Sequence, residues 1–319
     1  MLNDAVEFLR GNDDFLLISH ISPDADTLGS ALALYAALRG LGKRAEVVCA
    51  DPVPQMSRFL PNADIIRLPE EVRSHDCVVT IDCADRQRTG RCESLFLKAG
   101  RTLNIDHHGT NDLYAQANYV ERAGATGELI YRIVTALGAK LTTEVASCLY
   151  AALTTDTGNF SYTNTTPDTF RTAAALLESG IDLPYLNRML FRTVPYRKMK
   201  LHAFALMKMK LYDEGRIGIT TLSHEDMASC GASGEDAEGV IDAIRDIDTV
   251  EIAVTLREDA DDSIRCSLRG KTYANVSAIA TRFGGGGHRF AAGCTLHIPL
   301  EKAAEAILRE AEAALNTEE

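Results

Sequence analysis

Apolar and polar positions along this chain fall into two regimes. As far as about residue 120, short unbroken apolar runs alternate with helical stretches. Residues 15–19 (FLLIS), 45–50 (AEVVCA), 76–82 (DCVVTID) and 101–106 (RTLNID) read as strands, with a shorter one at 64–68. The nearly continuous run at 76–82 suits a central parallel strand covered on both faces. Between these runs, 4–10 reads as an entry helix and 27–41 as an amphipathic helix ending near Gly40 and Gly42. The alternation predicts a doubly wound, mostly parallel α/β sheet.

From Thr126 the apolar spacing becomes helical, over 126–137 and 142–155, with an acid in each first turn and Gly138 closing the first helix. The stretch 154–160 breaks the pattern. Residues 167–179 form a helix with proline in its first turn, and 184–209 is helical and rich in basic residues, interrupted at Pro195. Strands then return at 216–222, 251–257 and 263–269, the last two around an acidic turn at 258–262. A helix at 275–283, four glycines before His288, a last strand and a helix at 300–315 complete the chain. The expected organisation is a first domain over 1–186, a helical linker over 187–211, and a smaller α/β domain with a mixed sheet over 212–319.

Composition changes this picture little. The 319 residues suffice for two cored domains, and 46% hydrophobic with 24% charged residues is ordinary for a soluble globular protein. No run approaches a membrane-spanning length, and the acidic N-terminus is unlike a signal peptide, so a cytoplasmic location is expected. The eight cysteines are scattered without a C-x-x-C pair, which predicts reduced core thiols. A net charge of −12 argues against a protein that holds long duplex nucleic acid. A small anionic substrate remains open, because bound cations and a few local Arg or Lys residues can invert the field in one cleft.

The candidate chemistry lies where strands end. His20, Asp24 and Asp26 follow the first strand, Asp82 follows the run at 76–82, and Asp106, His107 and His108 close the run at 101–106. In a parallel sheet these share one edge, where ligands bind. Asp156 falls at the break in a helix. Each acid alone has a structural role open to it: Asp24 as a helix cap, Asp82 or Asp156 as a turn residue. Independent caps would not keep landing at one edge. An oxygen-rich set with imidazoles suits Mn²⁺ or a similar divalent ion. There are more ligands than one ion needs, and two ions roughly 3.5–4 Å apart, bridged by a carboxylate, would suit phosphate-ester hydrolysis. The glycine run lacks the Lys-Ser/Thr ending of a nucleotide-triphosphate loop; it is either a flexible turn or a backbone N–H nest for an anion, with His288 as an added donor.

His20-x-x-x-Asp24-x-Asp26, Asp82, Asp106-His107-His108 and Asp156, in this order, resemble the four motifs of the DHH phosphoesterase superfamily. Gly285-Gly286-Gly287-His288 with Ala291-Ala292-Gly293 resembles the signature of its companion DHHA1 domain. The likeness spans nearly the whole chain and is greatest to the stand-alone NrnA-like subgroup. It implies a Mn²⁺-dependent enzyme that hydrolyses very short RNA to 5′-mononucleotides and removes phosphate from 3′-phosphoadenosine 5′-phosphate (pAp). It implies that His20, Asp24 and Asp82 hold one ion, and that Asp26, Asp82, His107 and Asp156 hold the other. Asp106 would orient a neighbouring histidine, and His108 would face the phosphate or protonate the leaving oxygen. Ser267, Arg269, Gly285, Gly286, Gly287 and His288 would bind substrate, although Gly270 stands where a serine is common. Arg265, Lys271 and Arg282 are further candidate phosphate contacts. The two domains would hold two substrate phosphates across a cleft, which favours short substrates.

A dedicated phosphodiesterase for pApA, pGpG or cyclic di-AMP would use the same residues, and a non-catalytic nucleotide sensor is a reading of another class. A pyrophosphatase is disfavoured by the glycine–His288 signature, and a long-strand exonuclease by the acidic charge. Oligomeric state is left open, a homodimer included.

Overall fold

Apolar residues at helical spacing in α1 (Leu2–Gly11) bury Ala5, Val6 and Leu9, and the chain then enters β1 (Phe15–Ser19), buried along its whole length. The computed structural model describes every residue except Ala260, Asp262 and 316–319. Contacts divide the chain into two units, Met1–Thr193 and Val194–Glu319.

In the first unit β1 is followed by α2 (Ala25–Gly40), β2 (Ala45–Cys49), β3 (Cys77–Ile81), α3 (Glu93–Leu97), β4 (Arg101–Asp106) and β5 (Ala117–Val120). Four helices complete it: α4 (Thr126–Leu137), α5 (Thr143–Asp156), α6 (Pro167–Glu178) and α7 (Leu183–Phe191). The strands form one sheet in the order β2-β1-β3-β4-β5, every pairing parallel. Phe15 and Leu17 face a core shared with α1, α2, α4 and α5; Leu16, Ile18 and Val78 face the opposite side, against Leu95 and Phe96 of α3. Helices on both faces explain why these strands read as unbroken apolar runs.

Three local expectations are corrected. The stretch 64–68 is not a strand: Pro61 and Pro69 bracket a 3₁₀ turn at Ala63–Ile65, and a single bridge joins Val48 to Arg67. The edge strand β5 was not anticipated, because its sequence (ANYV) has no sustained apolar run. Helix α2 is not amphipathic: nearly every residue from Ala25 to Leu38 is buried. It lies against α5 so closely that a Cβ on Gly29 would come within 2.4 Å of the Cys148 carbonyl oxygen.

The break between units falls within the stretch expected to be a linker. The second unit begins with α8 (Tyr196–Lys208), whose Leu201 and Ala205 are buried among Leu222, Val240 and Ile244. It continues with β6 (Lys210–Tyr212), β7 (Ile217–Leu222), α9 (His224–Cys230), α10 (Val240–Arg245), β8 (Ile252–Glu258), β9 (Ile264–Gly270), α11 (Val276–Arg282), β10 (Gly286–His288), β11 (Ala291–Leu296) and α12 (Leu300–Leu315). Its mixed sheet runs β10-β11-β9-β8-β7-β6, with only β7 and β8 parallel among the described strands. Part of the expected acidic turn, Ala260 and Asp262, lies outside the described residues; Asp259 N–H donates to the Ser263 carbonyl across it. All eight cysteines are free and buried.

One buried carboxylate anchors this unit. Glu251 accepts from the backbone N–H groups of Thr272, Tyr273 and Ala274 and from the Thr272 hydroxyl. Burial alone would raise its acid, but these donors outweigh it and hold the carboxyl below the usual glutamate range. A depressed folded pKa gives stability that is present above the unfolded value and lost as pH falls through the folded one. Glu251→Gln is therefore expected to cost about 1–3 kcal/mol at neutral pH. The deficit should shrink under acid when denaturation midpoints are compared; a deficit independent of pH would contradict this account.

Candidate active site

The parallel sheet brings the acids and histidines to one edge, and local hydrogen bonds set each of them. Asp24 caps α2: its Oδ1 accepts from the N–H groups of Asp26 (3.0 Å) and Thr27 (3.1 Å). Its other oxygen, Oδ2, lies 3.7 Å from His20 Nε2. The Thr27 hydroxyl donates to the Ile81 carbonyl and accepts from His20 N–H, tying the end of β1 to the end of β3. Asp82 follows β3 in the left-handed region (φ 59), which Asp tolerates better than most residues. Asp26 is only 1% exposed, and accepts from the N–H groups of Thr126 and Gly127 at the start of α4 and from the Ser30 hydroxyl. A helix N-terminus favours such a carboxylate.

Both inward histidines have one nitrogen committed. His20 Nδ1 lies 2.7 Å from the Ile21 carbonyl and His107 Nδ1 lies 3.1 Å from the Ala123 carbonyl. A carbonyl only accepts, so Nδ1 carries the proton and Nε2 is free to act as a ligand atom. His107 Nε2 is 3.5 Å from Asp156, 3.7 Å from Asp82 Oδ1 and 3.9 Å from Asp26. His20 Nε2 is 3.5 Å from Asp82 Oδ2. The two oxygens of Asp82 thus face two different imidazoles. Three sets of ligand atoms are close enough to share an ion: His20, Asp24 and Asp82; Asp26, His107 and Asp156; and Asp82, His107 and His108.

The electrostatics fit a cation. Burial, and then the charges of Asp82, Asp156 and Asp24, hold the acid of Asp26 well above the carboxylate range. Burial lifts Asp156 to about 6, with Asp82 and Asp24 adding to it against the pull of His107. Burial opposes a charge on His20, yet Asp24 and Asp82 outweigh it and push the ring up to about 10. Carboxylates crowded in this way repel one another, and together with the imidazoles they make a donor set that suits a divalent metal.

His108 stands apart. It is 43% exposed, and its Nδ1 lies 2.7 Å from Asp106, whose hydrogen bond raises the ring's pKa. Asp106 is fully buried and is also bonded by Asn111 Nδ2 at 2.6 Å. Asn111, Asn104 and Tyr114 converge on the Cys83 carbonyl, next to Asp82. These three supports and the clamps Thr27 and Thr126 were not found from the sequence. The one available signal was the set of polar residues inside and just after the run at 101–106. Thr126 also donates to Asp82 Oδ1 at 2.8 Å.

Of the residues expected to bind substrate in the second unit, Ser267, Arg269, Gly286 and His288 share one sheet face; Gly287 falls on the other, in line with Ala292 and Leu268, and Gly285 precedes the strand. Ser267 and Arg269 alternate with buried Cys266 and Leu268, and β11 pairs Ala291 with both Arg269 and His288. His288 is exposed, while Arg269 is 32% exposed with Asp242 3.9 Å away. Gly284 sits in a turn after α11, and the glycines that follow run into an edge strand rather than a curled nest. Gly286, Gly287 and His288 are an edge strand, where a Cβ on Gly285 would meet the Gly293 carbonyl at 2.2 Å and one on Gly287 the Ala291 carbonyl at 2.5 Å. Arg265 lies on the same strand as Ser267, while Lys271 donates to the Ile247 carbonyl and Arg282 pairs with Glu310.

The fold and the site define a two-unit α/β protein with an acid–imidazole metal-type cluster at the ends of parallel strands. Residues 14–153 match the DHH family N-terminal domain and residues 224–317 match the DHHA1 domain; the chain belongs to the DHH family. It is 33% identical over 92% of its length, and 87% of the relative's, to the bifunctional oligoribonuclease and PAP phosphatase NrnA of Thermus thermophilus. The Bacillus subtilis protein of the same name is 26% identical, covering 93% of this chain and 94% of the relative. A crystal structure of an exopolyphosphatase-related protein from Bacteroides fragilis superposes with a TM-score of 0.91 at 25% identity, covering 98% of this chain and 95% of that one. Among the described residues, no helix is long and apolar enough to cross a membrane.

Asn111→Ala would leave Asp106 and the Cys83 carbonyl each short of a donor. The expected cost is about 1–3 kcal/mol of stability, read from denaturant midpoints. An unchanged midpoint would show that the network is dispensable.

Proposed function

We propose that this chain is a metal-dependent phosphoesterase that hydrolyses very short RNA to 5′-mononucleotides and removes a phosphate from pAp. The observation that carries the reading is Asp82, whose two oxygens face His20 on one side and His107 on the other. That arrangement supports two neighbouring ions: His20, Asp24 and Asp82 for one; Asp26, Asp82, His107 and Asp156 for the other. Mn²⁺ is the metal such a donor set favours. Bound there, the ions would supply an acidified water and neutralise charge on the phosphoryl oxygens.

The chain's own residues do the rest. Asp26 is fixed by three donors before substrate arrives, so its geometry costs little to hold. Asp106 holds the proton of His108 on Nδ1, and a charged His108 then offers Nε2–H to the leaving oxygen. Ser267, Arg269 and His288, with the backbone of Gly285, Gly286 and Gly287, would hold another phosphate or the terminal nucleotide. Short RNA, dinucleotides and pAp are the substrates proposed, and the cytoplasm the location.

With Mn²⁺ and labelled dinucleotide or pAp, Asp82→Ala should lose roughly a thousandfold in kcat. Calorimetry should count two Mn²⁺ per wild-type chain and fewer in the variant. Equal turnover by both proteins would sink the mechanism. Relative rates on pApA, pGpG, cyclic di-AMP and RNA pentamers separate a general oligoribonuclease from a dedicated dinucleotide enzyme. His288→Ala should raise KM about tenfold and spare Mn²⁺ binding; lost Mn²⁺ affinity with normal substrate binding would contradict its placement.

A further inference from the structure

Strands β4 and β5 are in register at their ends, Asp106 opposite Val120, so the chain leaves the same edge twice side by side. One exit carries His107, His108 and Gly109; the other carries Glu121, Arg122 and Ala123. The two are fastened, since His107 Nδ1–H donates to the Ala123 carbonyl. The Arg122 guanidinium stands against Gly109: a Cβ there would lie 3.2 Å from both Nε and Nη2. An exposed arginine is thereby held one residue away from His108, at the rim of the acid–imidazole cluster.

Acids near Arg122 in sequence are already taken. Arg132 binds Glu121 at 2.7 Å and Glu128 at 2.6 Å. Among the described residues, Arg122 has no ion-pair partner of its own, although the chain carries a net charge of −12. A surface arginine is most often simply solvated. Here the chain places it beside the reacting edge and spends a second arginine on the nearby acids. A planar fork of free N–H donors matches the oxygens of a phosphate.

We infer that Arg122 is a further substrate-binding residue, and that its guanidinium contacts the phosphate group presented to the His20–Asp156 cluster. It rests on the proposed phosphoesterase reading and adds to it a contact in the first unit that none of the four acid–histidine motifs supplies. Arg122 donates to non-bridging oxygens and forms no covalent bond, so it acts on any substrate with that phosphate, pAp or dinucleotide alike.

The test compares wild type, Arg122→Ala and Arg122→Lys with Mn²⁺. Arg122→Ala should lower kcat/KM on pAp and on pApA by roughly 10- to 100-fold, the worth of a charge-assisted hydrogen bond. It should weaken inhibition by inorganic phosphate to a similar degree, leave two Mn²⁺ bound per chain, and be partly rescued by guanidinium chloride at millimolar concentration. Arg122→Lys, with a charge but no fork, should fall in between. Values within twofold of wild type for both kcat/KM and phosphate inhibition overturn the inference. So does a loss that guanidinium does not rescue and that comes with lost Mn²⁺ or a lowered melting temperature. If wild type hydrolyses neither substrate, the functional reading falls. Calorimetric binding of inorganic phosphate to Mn²⁺-loaded wild type and Arg122→Ala then decides on Arg122 by itself: equal affinity overturns the contact.

Discussion

Burying the Asp26 carboxylate is the constraint on which the first unit depends. A charge taken out of water costs several kcal/mol unless it is bonded and paired. Asp26 meets part of that cost with the first N–H groups of α4 and the Ser30 hydroxyl. Those donors are available only if α4 begins against α2. Glycine makes that approach: a Cβ on Gly127 would lie 3.5 Å from the Ser30 hydroxyl oxygen of α2 and 2.6 Å from the Ala152 Cβ of α5. The same contact delivers the Thr126 hydroxyl to Asp82. Helix packing on one face of the sheet is thus shaped by two carboxylates at its edge.

The two units each bury a carboxylate, and the contrast separates structure from chemistry. Glu251 is surrounded by donors, its acid is lowered, and it fixes the loop that follows Arg269. Asp26 also has donors, yet burial, and then three further carboxylates around it, drive its acid up. A fold with no use for a cation would have no reason to gather Asp24, Asp82 and Asp156 around a buried acid. Surplus negative charge left after every local donor is counted is what marks a site.

Much of this was legible in the sequence, for physical reasons. Strands covered on both faces must be apolar throughout, so β1, β3 and β4 announced themselves, and residues just beyond them had to share an edge. The weak places were those where one face is open or the pattern short: β5, the bridge at Arg67, and helices α9 and α10. The glycine run was open to misreading because glycine permits both a curled nest and a close-packed strand; the decision lay in the backbones of Gly293 and Ala291, which no local pattern reveals. Asn111, Tyr114 and Arg122 were missed for a related reason. Their positions acquire meaning only through the register of β4 with its neighbours and the way the chain returns under the edge.

The structural and functional readings of Asp24 and Asp82 turn out to be compatible, because a carboxylate has two oxygens. Oδ1 of Asp24 caps α2, and that bond fixes the side chain so that Oδ2 points at His20. Asp82 gives Oδ1 to Thr126 and His107 and turns Oδ2 to His20. In each case an ordinary hydrogen bond orients one oxygen and frees the other. Removing the cap from Asp24 would therefore loosen the site as well as the helix. That is why a turn that starts a helix can also be half of a metal site, and why the same residues answer to both descriptions.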